Sequence, residues 1–330
     1  MFEMSEDSRK TGSPATAGGD GPAVAARAAP LKGGFSTVHV EESDKLNKSV
    51  LHGLWALTWR EIRKAYQTPI LVFMTLIQPV IWLGLFGKAF NLGSVFTGES
   101  FNIPGLSIPK SVLDQLSATM MQSTFGTSDY FSFLAVGMLT FVLVFTCMFS
   151  GMSIVWDRRF GFLEKVLGTP VSRGAIVMGK VLSSVVKSFI QAAIVLVIAV
   201  LLGMSVTNLT PQGILGTFAA LFLLAMGLSS LFVMLALRST DWQQQMAIMN
   251  LLNLPLLFAS NALFPTHLMP GWLQDVAKVN PISYGVDVGR QLLLGSPGFS
   301  SLGFDFLYLA GFAILFSAVG IVLSWRLLSK

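Results

Sequence analysis

The sequence predicts an all-α integral membrane protein with six transmembrane helices. Three observations carry this reading. Of the 330 residues 53% are hydrophobic and only 12% charged, giving a mean hydropathy of +0.67, far from the balance of a soluble domain. Six apolar runs approach or reach the roughly 20 residues that cross a bilayer. Lys and Arg gather on one side of those runs.

Residues 1–45 come first, rich in Gly, Ala, Ser, Pro and charge and without apolar periodicity, so they read as a disordered cytoplasmic tail with no signal-peptide core. Residues 46–67 follow as an amphipathic interfacial helix. Leu51, Trp55, Trp59, Ile62 and Tyr66 share one helical face, while Arg60, Arg63 and Lys64 fall away from it, the pattern of a helix lying at a membrane surface. The six-helix domain takes 68–330, with spans expected at 68–88, 131–155, 182–204, 214–237, 244–264 and 305–326. In the fifth, Asn250, Asn253 and Pro255 call for a protein or cavity environment rather than lipid. Residues 90–130 read as a long polar loop. Residues 265–304, punctuated by Pro265, Pro270 and Pro281, read as an outer re-entrant hairpin with short helices near 271–279 and 282–294.

Orientation follows from charge. Lys45, Lys48, Arg60, Arg63, Lys64, Arg158, Arg159, Lys165, Arg173, Lys180, Arg238, Arg326 and Lys330 lie on one side; Lys88, Lys110, Lys278 and Arg290 lie on the other. Both termini are therefore expected in the cytoplasm, in a multi-pass protein of the cell membrane.

Several chemistries are poorly served. The single cysteine, Cys147, and three dispersed histidines offer no metal site, and no converging nucleophile and base mark a catalytic centre. No span carries an acid or histidine at its centre, as an ion-coupled carrier or proton relay requires; Asp305 sits at an edge. Lys187 is the one ionisable side chain inside a span, about two turns from the cytoplasmic end and able to snorkel to it. "GAIVMGKV", residues 174–181, nearly matches a phosphate-cradling loop, but Val181 stands where the hydroxyl that holds Mg²⁺ belongs, and an apolar run follows. No nucleotide site is read there, and nothing indicates nucleic acid. Energy for transport would have to come from another chain.

Between the second and third spans, "WDRRFGFLEKVLGTPVSRGAIVMGK" holds alternating charge and an apolar stripe of Phe160, Leu163 and Leu167. It suits a short amphipathic helix that presents Arg158, Arg159, Glu164 and Lys165 to a soluble partner, or a basic loop that only fixes orientation.

This stretch and "NALFPTHLMPGWLQDVAKVNPISYGVDVGRQLL", in that order, resemble the ABC-2 type membrane subunits of ATP-binding-cassette exporters, especially daunorubicin-resistance-like permeases, over roughly residues 50–330. The resemblance implies a six-helix subunit that dimerises, with itself or a sister chain, and docks two copies of a separate ATP-binding subunit that carries the ATP and Mg²⁺. It implies a cytoplasmic coupling helix between helices two and three. Arg158, Arg159, Gly161, Glu164 and Lys165 would lie on or beside that helix, with Thr169, Pro170 and Arg173 ending it. Phe264, Pro265, Pro270, Trp272, Asn280, Pro281, Tyr284, Asp287 and Arg290 would build the outer hairpin. The function expected is export of an amphiphilic substrate, drug-like or lipid-linked, along a path that Asn250, Asn253 and Phe258 help to line. The alternative is a membrane anchor that scaffolds a cytoplasmic complex without transport.

Overall fold

The computed structural model describes residues 50–89, 110–127, 129–169, 171–205, 209–239 and 241–327. The expected tail over 1–45 and Pro170 lie outside them. The described residues are helical throughout their regular structure: α1 (Val50–Gln67), α2 (Pro69–Gly84) with a π turn (Leu85–Ala89), α3 (Lys110–Phe125), α4 (Tyr130–Arg159), α5 (Phe162–Leu167), α6 (Arg173–Leu201), α7 (Pro211–Arg238), α8 (Trp242–Phe258), α9 (Gly271–Val279), α10 (Pro281–Leu294) and α11 (Leu302–Leu327).

Local chemistry sets the helix starts. Asp129, Ser172, Thr210, Asp241 and Asn280 each accept a hydrogen bond from a backbone N–H in the first turn that follows, capping α4, α6, α7, α8 and α10. Such caps satisfy donors that the helix itself leaves open. Pro69, Pro211 and Pro281 occupy the first helical position, where no N–H is needed.

Among the described residues four helices are long and apolar enough to cross a membrane: α4, α6, α7 and α11. The first and fifth expected spans are shorter. Helix α2 has 16 residues and α8 has 17, about 24–26 Å at 1.5 Å per residue, against a hydrocarbon core of about 30 Å. Each contains a proline, Pro79 or Pro255, whose missing N–H interrupts the backbone ladder. A second departure lies in the expected polar loop over 90–130, where α3 forms from Lys110 to Phe125.

Helix α4 turns most of its side chains inward, and α7 packs against α4, α6, α10 and α11. Their shared core includes Leu134, Leu139 and Leu143 of α4 with Leu221, Leu224 and Leu228 of α7. Helix α11, by contrast, leaves Leu307, Ile314, Leu315 and Val322 exposed, a face suited to lipid. Arg158 and Arg159 close one end of the bundle, called here the basic end. Helices α9 and α10 form a hairpin at the other, between the positions predicted for it.

Candidate functional site

At the basic end, α4 stops at Phe160, and Gly161 reverses the chain with φ +66°, a left-handed conformation that costs residues with a Cβ about 1–2 kcal/mol. The six residues of α5 follow. Leu163 and Val166 are buried, whereas Arg159, Glu164, Lys165 and Thr169 are exposed. The apolar stripe differs from the predicted one: Phe160 is 78% exposed, and Val166 takes its place. Arg158 also differs. Its guanidinium points inward and donates to the carbonyls of Ser239 (2.9 Å) and Leu237 (3.0 Å) at the end of α7, so it anchors the turn rather than presenting itself. Arg173 starts α6 behind the Ser172 cap instead of ending α5.

Beneath this turn lies an ionic network that joins α1, α4 and α6. Lys180 Nζ reaches Asp157 Oδ2 at 2.5 Å and Glu61 Oε1 at 3.3 Å and donates to Ser153 Oγ at 3.0 Å. All three charged side chains are about 5–6% exposed. Arg60 bonds Glu61 at 2.8 Å and approaches Asp157 at 3.8 Å, and Lys64 approaches Asp157 at 3.6 Å. Burial alone would raise the Glu61 carboxyl, but Lys180, Lys187, Lys64 and Arg60 together hold it below the usual carboxylate value. Arg60 also lies over the Phe162 ring, 3.5 Å from its centroid, which ties α1 to α5.

The Gly-Lys pair of "GAIVMGKV" is thereby explained. A Cβ at Gly179 would stand 3.0 Å from Leu57 Cβ, so glycine lets α1 and α6 approach closely, and Lys180 bonds across the contact. Thr58 adds a hydrogen bond to the Gly179 carbonyl at 3.4 Å. Sequence reasoning missed Glu61 and Asp157. The signal for Glu61 was present: it is the acid among the bases of α1, opposite the exposed Trp55, Trp59 and Tyr66.

The residues expected along a substrate path do not converge. On α8, Gln245, Met249, Asn253 and Leu257 form the buried face, whereas Asn250 and Phe258 lie on the exposed one with Leu251 and Leu254.

The far hairpin is held by side-chain hydrogen bonds from Asn280, Tyr284 and Arg290. Asn280 caps α10 through Ile282 N–H and donates to the carbonyls of Leu256 (2.7 Å) and Ala259 (2.8 Å), beyond the Pro255 break. Pro281 and Tyr284 are buried on α10; the Tyr284 hydroxyl donates to the Lys278 carbonyl at 2.6 Å, and its ring stacks on Tyr308. Arg290 donates to the carbonyls of Asn261 (2.6 Å), Ala262 (3.0 Å) and Phe133 (3.3 Å) and lies over the Phe133 ring. Asp287 accepts from the N–H groups of Phe299 and Ser300; burial, then the neighbouring Asp305 carboxyl, push it up to about 6. Pro265 is buried, whereas Phe264, Pro270 and Trp272 stay exposed. Among the described residues no three His, Cys, Asp or Glu side chains group to hold a metal.

Comparison with known proteins adds the family. The ABC-2 type transporter family matches residues 52–294. The chain is 30% identical over 240 residues to the ycf38 transport permease of Cyanophora paradoxa, covering 72% of this chain and 73% of that protein. It is 25% identical over 191 residues to the daunorubicin resistance ABC transporter permease protein DrrB1 of Streptomyces coeruleorubidus, covering 58% and 67%. It is 24% identical over 247 residues to nodulation protein J of Rhizobium meliloti (strain 1021), covering 74% and 82%.

Proposed function

Because this chain belongs to the ABC-2 type transporter family, we propose that it is the membrane permease subunit of an exporter driven by ATP bound, with Mg²⁺, on a separate subunit. Two copies of that ATP-binding subunit meet a dimer of permeases, formed from this chain alone or with a sister chain. The observation that carries this reading is the turn at the basic end. Its exposed edge of Arg159, Phe160, Glu164 and Lys165 sits on a buried, multiply bonded base, which suits a lever that passes motion from a soluble partner into α1, α4 and α6.

In this reading the basic end and both termini are cytoplasmic, and the chain lies in the cell membrane. Helix α2 with its π turn and α8 complete six crossings, their short lengths met by local thinning of the bilayer. The hairpin of α9 and α10 is re-entrant and structural. The cargo is amphiphilic, drug-like or lipid-linked; the name of the Streptomyces relative, which ties that protein to daunorubicin resistance, supports the drug-like choice. The path follows the permease interface along the exposed face of α8, past Asn250 and Phe258, with Asn253 behind them.

Purification of the tagged chain from its own membrane in mild detergent tests the reading. An ATP-binding subunit should co-purify, with ATPase activity that responds to cargo, and replacement of Asn250 and Asn253 by Leu should alter that response. Folded protein that brings down no ATPase would overturn it in favour of a scaffold.

A further inference from the structure

We propose that the cavity between α1, α2, α4 and α6 binds the anionic headgroup of a membrane lipid, with its phosphate on Lys187 and its acyl chains leaving past Met74 and Phe149. The cavity holds about 260 Å³ and lies within a single chain. The site therefore stands whether or not the bound lipid is cargo.

Three observations point to an anion. First, most of the other polar groups of the wall, Gln78 apart, already have partners. Gln191 donates to Thr75 Oγ1 at 2.7 Å and accepts from Thr146, while Ser150 and Ser153 bond to Lys180 and its neighbourhood. Lys187 lines the same cavity, yet it makes no hydrogen bond or ion pair among the described residues. Second, no carboxylate pairs directly with Lys187: Glu61 feels its charge, but Glu61 and Asp157 form their ion pairs with Lys180, Arg60 and Lys64. With Lys187 the group has four cations against two carboxylates, a local excess of positive charge. Third, Lys187 stands seven residues beyond Lys180 on α6, about 10 Å deeper in the bundle. A cation at such depth is costly unless it meets a counter-ion.

The rim chooses a lipid over a free ion. Met74 is 57% and Phe149 41% exposed where they line the cavity, and Phe73 and Ile81 extend the exposed apolar face of α2. The volume admits a headgroup but not two acyl chains, which therefore lie along α2. Lys64, which also lines the cavity, supplies a second positive charge.

Native mass spectrometry of the purified complex, titrated with phosphatidylglycerol, phosphatidylcholine or inorganic phosphate, tests this. Phosphatidylglycerol should bind at least about tenfold more tightly than phosphatidylcholine. Lys187→Met should abolish that preference, and Lys187→Arg should keep it within about threefold. Met74→Trp, which narrows the rim, should weaken phosphatidylglycerol without changing the charge. An unchanged preference in Lys187→Met together with an unchanged phosphatidylglycerol affinity in Met74→Trp overturns the site. Saturation by inorganic phosphate alone overturns the lipid.

Discussion

Replacement of Lys180 by Met tests the ionic network directly. The substitution keeps most of the side-chain volume and removes the ammonium that lies 2.5 Å from Asp157 and 3.3 Å from Glu61. Both carboxylates stay buried, and removing one partner of such a pair typically costs about 3–5 kcal/mol. Arg60 and Lys64 still approach them at 2.8–3.8 Å, so the lower limit of about 3 kcal/mol is expected, or roughly 5–10 °C in Tm for a domain of this size. The chain supplies its own probe. Cys147 is the single cysteine and is buried, so the temperature at which it reacts with a fluorogenic thiol reagent reports unfolding. Neutralising the three buried members, with Glu61→Gln and Asp157→Asn added to Lys180→Met, should recover most of the loss, because no buried charge is then stranded. A Tm within about 1 °C of wild type for Lys180→Met alone would refute the reasoning.

Other outcomes follow from the same geometry. Arg159→Glu and Glu164→Lys, on the exposed edge of the turn, should leave stability within about 0.5 kcal/mol while sharply reducing recovery of the ATP-binding subunit in pull-downs. Arg290→Lys should destabilise by about 2–3 kcal/mol, since an ammonium cannot reproduce the planar fork that serves three carbonyls; proteolysis of the far hairpin should report it. Glu61, held low, contributes stability that is present above its unfolded value of about 4.3 and is lost as pH falls through the lower folded value; Glu61→Gln should flatten acid unfolding below pH 4.5. Asp287 behaves oppositely. Its carboxyl is raised to about 6, so its contribution is fully present below its unfolded value of about 3.9 and is lost as pH rises from there through 6, and Asp287→Asn should remove that slope in Tm scans between about pH 4 and 6.5.

The legible parts of this molecule were those written in short stretches of chain. Asn280-Pro281 at one end and Gly295 at the other bracket α10 closely as sequence reasoning expects. Apolar length alone announced α4, α6, α7 and α11. Helix α3 was hidden because it lacks apolar periodicity, and its weak amphipathicity resembles a loop. Contacts between distant segments left no local trace. Glu61 and Lys180 are 119 residues apart, and the inward turn of Arg158 toward Ser239 spans 81. The phosphate-loop likeness illustrates the same limit: a glycine and a lysine side by side fit a nucleotide, but here the glycine admits a helix and the lysine binds two acids.

That long separation bears on how the chain is made. Glu61 leaves the ribosome first, Asp157 much later, and Lys180 last. At 5–20 residues per second, roughly 6–24 s pass between the first and the last. During that interval the carboxylate of α1 has only Arg60 and Lys64 nearby and has reason to stay in water. When the third long segment arrives with Lys180, α1 can dock, so a hairpin inserted the wrong way round is left with an undocked amphipathic helix. The network therefore cannot close until its last cation is delivered.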